Sequence, residues 1–380
     1  MKKIKILSIL CTRPSAIKMA AIVLALEKNP AFESVVCITG QHREMLDQVL
    51  NLFEIKSDYN LNIMQPNQDL YSITANVLNG LKPILTDLKP DCVIVQGDTT
   101  SMMAAALAAF YQKIPVAHVE AGLRTNNIYA PYPEEVNRAI ITRIVQLNFA
   151  PTEISKNNLL RENVNPENIF VTGNTVIDAL LWVRDKANKI NDFSNCLGPT
   201  IQNLINHNKN IILITCHRRE SFGDGFQNIC LAFKTLAEKY PDWHFIYPVH
   251  LNPNVQKPVY ETLASIANFH LISPLEYVPF VYLMDKSKII ITDSGGIQEE
   301  APSLGKPVLV TRDVTERPEG VQAGAVILIG TNTQNIIKEA ESLMHDKARY
   351  AKMSTIRNPY GDGLSALRIV QTLEKISKKT

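Results

Sequence analysis

The chain has 380 residues, of which 46% are hydrophobic, and a formal net charge of only +2 at pH 7. This length is too great for one core of typical size and predicts two domains. The absence of a basic surplus argues against nucleic-acid and membrane-surface partners, and no apolar run is long enough to span a bilayer.

Short apolar runs alternate with segments of helical period along the whole chain. The first series of predicted strands covers residues 4–10, 35–39, 92–96, 115–119, 146–150 and 169–171. The same rhythm resumes at residues 211–215, 243–248, 289–292 and 308–310. Apolar strands separated by helices are typical of parallel sheets that are covered on both faces. The predicted fold class is therefore α/β, with two doubly wound Rossmann-like domains facing across a cleft.

The domain boundary is predicted just after the strand at 169–171. Residues 1–172 form the predicted N-terminal domain, and residues 173–363 form the C-terminal one. A helical stretch over residues 364–380 is expected to return and complete the first domain. The polar segment 188–210 has the most linker-like composition, and a surface excursion within the second domain is the alternative interpretation.

Charged residues stand where the strands of the first domain end. Arg13 follows the first strand and can direct a charge-assisted fork at a diphosphate. Asp98 follows the strand at 92–96, where capping of the next helix is the alternative role. Glu120 lies two residues before a glycine at a strand end, and Glu134 opens a helix after a proline-rich loop. Three acids at the carboxyl-terminal edges of one sheet predict a cluster.

The second domain opens with a strand that ends in His217, Arg218 and Arg219 before a glycine-rich loop. This combination is typical of an anion-binding corner. Arg317 follows the last predicted strand and offers another guanidinium. No set of His, Cys and Asp has metal-ligand spacing, so we expect neither a metal nor a cofactor.

The most informative stretch is IIITDSGGIQEEAPSLGKPVLV, residues 289–310. An apolar strand delivers the small residues Ser294, Gly295 and Gly296 to a helix N-terminus, where unpaired N–H groups can bind a phosphate. Glu300, on that helix, can accept the hydroxyls of a ribose. The alternative is a small-residue turn followed by a solvated acidic helix start.

These motifs resemble, in their order, those of the non-hydrolysing UDP-N-acetylglucosamine 2-epimerases. The segments that carry the likeness are CTRPSAIKMA, QGDTTS, HVEAGLRT, PYPEEVNR, FAPTE, VTGNTVIDALLW, CHRRESFGDGF, YPVHLNPNV, TDSGGIQEEAPSLGKPVLVTRDVTERPEG and NPYGDG. The resemblance implies the glycosyltransferase-B fold. It also implies reversible epimerisation at C2 between UDP-N-acetylglucosamine and UDP-N-acetylmannosamine, for bacterial surface polysaccharide synthesis.

The resemblance also assigns roles to individual residues. The implied catalytic residues are Asp98, Glu120, Glu134 and His217. The implied UDP-binding residues are Arg13, Lys18, Phe280, Ser294, Gly295, Gly296, Glu300 and Arg317. A regulatory site for a second UDP-N-acetylglucosamine is implied at Gln41, His42 and His250; for His250 the resemblance overrides the role that its position alone favours slightly, a polar residue at a strand end. A homodimer is implied as well.

The first motif departs from the family pattern at two positions. Cys11 replaces the usual Gly, and Ser15 replaces the usual Glu. A Gly there lets the backbone approach a ligand closely. The Cβ of Cys11 therefore predicts a shifted loop or nucleotide, with binding retained through Arg13 and Lys18.

The implied reaction explains why such residues are needed. The C2 hydrogen becomes acidic only as the C1–O bond to UDP breaks, so a carboxylate base then suffices, and cationic groups on the diphosphate stabilise the charge that develops. A 2-acetamidoglucal intermediate is protonated from the opposite face, which requires two acid/base groups. A glycosyltransferase of the same fold, or an epimerase of a modified UDP-N-acetyl sugar, is the alternative.

The six cysteines are scattered, and no pair has CxxC spacing. Cys11, Cys37, Cys92 and Cys216 lie in or at the end of apolar strand-like runs. Buried reduced thiols in a cytoplasmic protein account best for this pattern. The run 4–7 at the amino terminus is too short for a signal peptide and indicates a first strand.

Overall fold

The computed structural model describes residues 3–40, 43–63 and 68–377. By its internal contacts the chain divides into two compact units, Met1–Ala179 with Gly361–Thr380, and Leu180–Tyr360. We call these the first and the second unit. The domain boundaries derived from the sequence, at 172/173 and 363/364, stay predictions.

The first unit contains a parallel sheet with the strand order β3-β2-β1-β4-β5-β6-β7. Its strands are β1 (Ile4–Leu10), β2 (Phe32–Ile38), β3 (Tyr59–Asn60), β4 (Cys92–Gln96), β5 (Val116–Val119), β6 (Leu147–Ala150) and β7 (Ile169–Val171). The order reverses between β1 and β4, where Ile6 lies opposite Cys92 and Ser8 opposite Ile94. A reversal of this kind opens a crevice at the carboxyl ends of the two strands.

The second unit repeats the plan with a six-stranded parallel sheet of order β10-β9-β8-β11-β12-β13. Its strands are β8 (Asn210–Thr215), β9 (Trp243–Pro248), β10 (Phe269–Ile272), β11 (Ile289–Thr292), β12 (Val308–Val310) and β13 (Val326–Leu328). Here the order reverses between β8 and β11. The predicted class, α/β with two doubly wound sheets, is confirmed.

Helices connect the strands and cover the sheets. In chain order they are α1 (Arg13–Lys28), α2 (Arg43–Phe53), α3 (Leu70–Leu88), α4 (Thr100–Tyr111), α5 (Glu134–Ile144), α6 (Glu153–Arg161), α7 (Thr175–Ala187), α8 (Ser194–Leu197), α9 (Pro199–Asn206), α10 (Asp224–Lys239), α11 (Pro253–Leu263), α12 (Tyr277–Lys286), α13 (Gly295–Glu300), α14 (Pro318–Ala323), α15 (Thr333–His345), α16 (Lys347–Ser354) and α17 (Ser365–Ser377). None of the helices that the structure describes combines the length and the apolar character that a bilayer crossing demands.

Side-chain caps fix where several helices begin. The hydroxyl of Thr12 accepts the N–H of Ser15 at the start of α1, and Thr99 accepts the N–H of Met102 at the start of α4. An N-cap of this kind satisfies one of the donors that a helix start leaves unpaired. Asp98 therefore does not cap α4, because the neighbouring Thr99 does.

The strands β1, β4, β8 and β11 form the buried centre of each sheet, and Val, Ile and Leu dominate their cores. Three strands escaped the sequence analysis, namely β3, β10 and β13. Each is short, and the β3 pair Tyr59-Asn60 has no apolar run to mark it. These strands lie at or near the sheet edges, where less burial is required.

The polar segment 188–210 is not a linker. It carries α8 and α9 within the second unit and buries Phe193, Leu197 and Ile201. The ring of Phe193 stacks on that of Tyr282 with centroids 4.4 Å apart. The alternative interpretation, an excursion within the second domain, describes this segment better.

The carboxyl-terminal helix α17 packs on α1 in the first unit. The Asp178 carboxylate accepts the backbone N–H groups of Ser365 at 3.2 Å and Ala366 at 2.8 Å. A Cβ on Gly361 would lie only 3.5 Å from the backbone nitrogen of Asn174. The outgoing and returning segments of the chain therefore run side by side at this point of the first unit.

Candidate active site

Several of the predicted site residues lie at the reversal points of the two sheets. Arg13 follows β1 and Asp98 follows β4 in the first unit, whereas His217 follows β8 and Ser294 follows β11 in the second. Ligands of doubly wound folds bind outside the carboxyl ends of the strands at such points. Each sheet therefore presents its charged residues where its topology opens a crevice.

Glu120, immediately after β5, contacts side chains from several elements of the described chain. Its carboxylate pairs with the Lys18 ammonium of α1 and accepts an N–H from Gln96 at the end of β4. The Nδ2 of Asn174 donates to the same carboxylate at 3.1 Å. The Glu120 side chain is only 7% exposed, and a cation at this distance favours its charged form.

The backbone of Glu120 is left-handed, with φ of 68°. Such a conformation is unfavourable for a residue with a Cβ and persists only where the surroundings enforce it. Lys18, predicted to bind UDP, contacts Glu120 in this structure, and its contact with a nucleotide stays a prediction. The geometry thus pairs Lys18 with the Glu120 carboxylate.

Asp98 is held by a guanidinium. Its carboxylate accepts from Arg138 of α5, with 2.9 Å to Nε and 2.6 Å to Nη2. The Nη1 of the same Arg138 donates to Glu135 at 3.0 Å. Asp98 and Glu135 therefore share one cation, and the guanidinium sets their separation.

The neighbouring acids Glu134 and Glu135 have different surroundings. Burial alone would raise the pKa of Glu135, but the backbone N–H groups of Thr125 and Asn126, together with Arg138, lower it. Glu135 is thus part of the scaffold. Glu134, in contrast, has a buried Oε2 with no hydrogen-bond partner among the described residues. A buried oxygen without a donor is costly and is available to a ligand.

In the second unit His217 lies against another histidine. Its ring stacks on that of His250 with centroids 5.0 Å apart and planes only 9° from parallel. Burial lowers the pKa of His217 below its ordinary value, and the charges of His250 and Arg218 act in the same direction. The carboxylate of Asp293, 3.7 Å from Nδ1, opposes that decrease. The predicted catalytic and regulatory histidines are therefore neighbours.

The segment after β11 brings Arg317 close to the small residues. A Cβ on Gly295 would lie 3.9 Å from the guanidinium carbon of Arg317. The Nε of Arg317 donates to Glu299, whose side chain is 4% exposed. This pair holds the guanidinium beside Gly295, next to Ser294 and the start of α13.

Phe280 lies on α12, and Glu300 is the last residue of α13. The hydroxyl of Tyr277 is 3.5 Å from the Glu300 carboxylate, and Phe280 follows Tyr277 by three positions on α12. Residues three apart share a helix face, so the aromatic residue predicted near the uracil lies on the same face of α12 as Tyr277, whose hydroxyl is close to the acid predicted at the ribose.

The first motif accommodates its unusual residue by burying it. Cys11 is fully buried, and its Sγ lies 3.3 Å from the hydroxyl of Thr99. Burial raises the pKa of the Cys11 thiol, while the hydrogen bond with Thr99 lowers it by less. Arg13 has no ion-pair partner in the part of the chain that the structure describes. Its guanidinium is therefore available to an anion.

Several residues of these clusters escaped the sequence analysis. They are Gln96, Arg138, Asn174, Tyr277, Asp293 and Arg312. Arg312 is almost fully buried between the carboxylates of Glu220 and Glu316. For Gln96 the sequence did contain a signal, because this polar residue ends the otherwise apolar strand β4. Gln41 and His42, predicted for a regulatory site, lie outside the described residues.

Comparison with known proteins gives a consistent result. The family model described as UDP-N-acetylglucosamine 2-epimerase matches residues 24–374. A UDP-N-acetylglucosamine 2-epimerase of Salmonella typhimurium is 57% identical over 370 residues, covering 97% of this chain and 98% of the relative.

Two solved structures are similar to both units. The UDP-GlcNAc 2-epimerase of Neisseria meningitidis, crystallised with UDP-GlcNAc bound, has 56% identity and a TM-score of 0.85, covering 98% of this chain and 100% of its own. A putative UDP-N-acetylglucosamine 2-epimerase of Listeria monocytogenes has 46% identity and a TM-score of 0.93, covering 100% and 98%.

Proposed function

The chain belongs to the UDP-N-acetylglucosamine 2-epimerase family, and from this premise we propose that it interconverts UDP-N-acetylglucosamine and UDP-N-acetylmannosamine. The observation that carries the proposal is the pair of acids at one sheet edge. Glu120 is held as a carboxylate by Lys18, and Glu134 keeps a buried oxygen that has no donor among the described residues. Two acid/base groups are what inversion at a carbon centre requires.

The reaction begins with cleavage of the C1–O bond, whose electron pair goes to the β-phosphate oxygen of UDP. Positive charge at C1 acidifies the C2 hydrogen, which passes as a proton to a carboxylate. The C–H electron pair forms the C1=C2 bond of 2-acetamidoglucal. On return, the phosphate oxygen attacks C1 while an acid protonates C2 from the opposite face. Each step conserves the UDP group, so no hydrolysis is needed.

Glu120 and Glu134 carry the two proton transfers in this proposal. Asp98 orients the cluster, because Arg138 ties it to Glu135 on the scaffold. His217 stabilises the diphosphate as charge develops on it, which is where cationic and N–H donors contribute most.

The nucleotide is held by protein groups alone in this proposal. Arg13, Lys18 and Arg317 supply charge to the diphosphate, and the backbone of Ser294, Gly295 and Gly296 supplies N–H donors at the start of α13. Glu300 binds the ribose and Phe280 the uracil. No metal ion and no cofactor take part.

A second UDP-N-acetylglucosamine regulates the enzyme, bound beside His250 with contributions from Gln41 and His42. Support comes from the stacking of His250 on His217 at a centroid distance of 5.0 Å. A ligand that contacts His250 thereby acts on the ring proposed to stabilise the diphosphate. A separate experiment tests this second site. It measures whether the conversion of UDP-N-acetylmannosamine to UDP-N-acetylglucosamine depends on added UDP-N-acetylglucosamine.

The enzyme is a homodimer and works in the cytoplasm. For the dimer, support comes from a face on the first unit, where α3, α4 and α5 pack side by side and expose apolar residues to the outside. These residues are Leu70, Tyr71, Phe110, Val136 and Ile140. For the compartment, support comes from four cysteines that are buried and free, namely Cys11, Cys37, Cys92 and Cys216.

The test is proton NMR of UDP-N-acetylglucosamine with the purified protein in deuterium oxide. We expect the N-acetylmannosamine epimer to form with deuterium at C2 and without stoichiometric release of UDP. Epimer formation without deuterium would contradict the proton-transfer mechanism. Transfer that requires an added acceptor, with no label at C2, would identify a glycosyltransferase, and a free sugar with UDP would identify a hydrolysing epimerase.

The same assay tests the two acids. Glu120→Gln and Glu134→Gln are each expected to lower turnover by about 10²- to 10⁴-fold, which is the usual contribution of a positioned acid or base. Glu33→Gln is the matched control, because Glu33 is half-exposed and pairs only at the surface with Lys5. Near wild-type turnover in both catalytic variants would refute the assignment.

A further inference from the structure

Asp293 is a buried carboxylate at the reversal point of the second sheet, directly after β11. It is 1% exposed. Its Oδ2 accepts the backbone N–H groups of His217 at 2.6 Å and Arg218 at 2.7 Å. Its Oδ1 is buried and has no hydrogen-bond partner among the described residues. One oxygen thus fixes the end of β8, and the other is unsatisfied.

The unsatisfied oxygen is close to the His217 ring. Oδ1 lies 3.7 Å from Nδ1 of His217, which is longer than a hydrogen bond but within the range of a strong electrostatic contact. The ring plane is fixed on another side by its stacking on His250. The imidazole is 37% exposed, so one edge is enclosed by protein while the ring keeps access to solvent.

A buried carboxylate oxygen that lacks a donor is costly. The nearest available remedy is a proton on Nδ1 of His217. We propose that Asp293 is a positioning residue for His217, keeping a proton on Nδ1 so that Nε2 is the nitrogen that exchanges a proton with the leaving diphosphate. This inference rests on the proposed function, because the proposed function places the diphosphate of UDP at His217.

The chemical consequence concerns a single proton. With Nδ1 protonated in both charge states, the neutral ring presents a lone pair at Nε2 and the cationic ring presents an N–H there. As the C1–O bond breaks, the cationic ring shares its Nε2 proton with the β-phosphate oxygen, and the proton returns when UDP adds back. The Asp293 carboxylate compensates the positive ring throughout.

The groups that face His217 set how readily it gains this proton. Burial and the positive charges of His250 and Arg218 disfavour the imidazolium, and Asp293 favours it. Of these groups, Asp293 is the one whose charge opposes the decrease in the pKa. Removing that charge therefore lowers the pKa of His217 further and moves the alkaline limb of the activity profile to lower pH.

The test is Asp293→Asn. The amide oxygen can take the place of Oδ2 and accept both backbone N–H groups, while the amide NH₂ then faces Nδ1 and requires a lone pair there. In ¹⁵N-histidine NMR of the whole protein, we expect the neutral wild-type ring to carry its proton on Nδ1 and the variant ring to carry it on Nε2. We further expect kcat to fall about 100-fold with little change in KM, as for the loss of a general acid.

His217→Asn provides the control for a merely structural role. In that background Asp293→Asn is expected to change kcat by less than about threefold, because residues that act through one another are not additive. An equal loss of kcat with and without the imidazole would overturn the proposal. So would a wild-type ring whose neutral form is protonated on Nε2, a readout that holds even where the variant fails to fold.

The NMR readout also separates this inference from the proposed function. A wild-type protein that does not epimerise UDP-N-acetylglucosamine refutes the function while the tautomer of His217 still tests the role of Asp293. An active wild-type enzyme whose tautomer and pH profile are unchanged by Asp293→Asn refutes the role of Asp293 alone.

Discussion

The two units hold the charges of their candidate sites in different ways. In the first unit the acids are paired with cations, Glu120 with Lys18 and Asp98 with Arg138. In the second unit Arg317 is paired with Glu299, but the buried Asp293 is held mainly by backbone N–H groups. The side chains of Arg218 and Arg219 have no ion-pair partner there, among the residues that the structure describes.

This difference matches two kinds of chemistry. A cluster whose charges are already compensated suits proton exchange with a neutral sugar carbon, since no net charge has to be buried when the substrate binds. A corner with uncompensated cations and N–H donors suits an incoming diphosphate, which supplies the missing negative charge. The two units therefore differ in their electrostatics, and substitutions of charged residues in each unit test this difference directly.

The largest expected effect comes from Lys18→Met. It leaves the Glu120 carboxylate buried without its ammonium partner, which typically costs about 3 to 5 kcal/mol of stability. We expect the free energy of unfolding of the first unit, measured with urea, to fall by this amount. Adding Glu120→Gln should recover most of the loss.

Lys5→Met is the matched control for Lys18→Met. Lys5 pairs with Glu33 at 3.4 Å on the surface, where an ion pair contributes at most about 1 kcal/mol. If Lys18→Met were no more costly than Lys5→Met, the idea that the acidic cluster is charge-compensated would be wrong.

The next effect is a dependence of stability on pH in the first unit. Burial lowers the pKa of His118, on β5 beside Glu120, to about 4, and the charge of Arg124 contributes in the same direction. The unfolded chain, with a pKa near 6.5, binds the proton more readily between these values. Stability is therefore complete above pH 6.5 and is lost as the pH falls towards 4, by about 3 kcal/mol.

His118→Gln isolates this contribution. His217, His244 and His270 also have lowered pKa values, each chiefly through burial, so the wild type loses stability in acid for several reasons. The difference between wild type and variant should shrink by about 2 to 3 kcal/mol between pH 7 and pH 4.5. A difference that does not change with pH would show that His118 is not buried in its neutral form.

A smaller effect is expected in the second unit for Arg317→Gln. The guanidinium beside Gly295 is lost, and the dissociation constant of UDP should rise about 10- to 100-fold, as for the loss of one charge-assisted contact. Isothermal titration calorimetry measures the change. Arg349→Gln is the control, because Arg349 of α16 is paired with Glu339 of α15, and it should leave UDP affinity unchanged. An equal loss of affinity in both variants would contradict a local role for Arg317.

The smallest effect is expected from the loss of a helix cap, which tests whether local structure rather than charge pairing stabilises the region around Asp98. Thr99→Ala removes the N-cap of α4 next to Asp98 and should cost about 1 kcal/mol. Thr152→Ala, which uncaps α6, should cost a similar amount in thermal unfolding. A loss for Thr99→Ala as large as that for Lys18→Met would mean that caps and not charge pairs dominate this region.

The sequence predicts the strands at the centre of each sheet and the residues that follow them. Ile4–Leu10 and Ile289–Thr292 are apolar and end in distinctive motifs, so pattern alone locates them. It misses β10 and β13, which have only four and three residues, because strands this short need the neighbouring strand for their definition. It also leaves open whether Asp98 caps α4, a choice that the side-chain rotamer of Thr99 decides.

The partners of the site residues lie beyond what pattern can supply. Lys18 and Glu120 are separated by 102 positions, and Asp293 and His217 by 76. Only the folded parallel sheets bring the members of each pair together. Glu134 and Glu135 are adjacent and chemically alike, and the sequence cannot distinguish them. Their difference arises because the backbone N–H groups of Thr125 and Asn126 reach one of them and not the other.

The side-by-side course of the chain near Asn174 and Gly361 has a consequence for the architecture. The first unit is interrupted after Ala179 and resumes at Gly361, so the whole second unit is an insertion into it. Because Asp178 already binds Ser365 and Ala366, excising residues 180–360 and bridging the gap with a few glycines would retain all seven strands of the first sheet. The carboxylates of the first unit could then be produced and titrated as an isolated miniature, without the second unit.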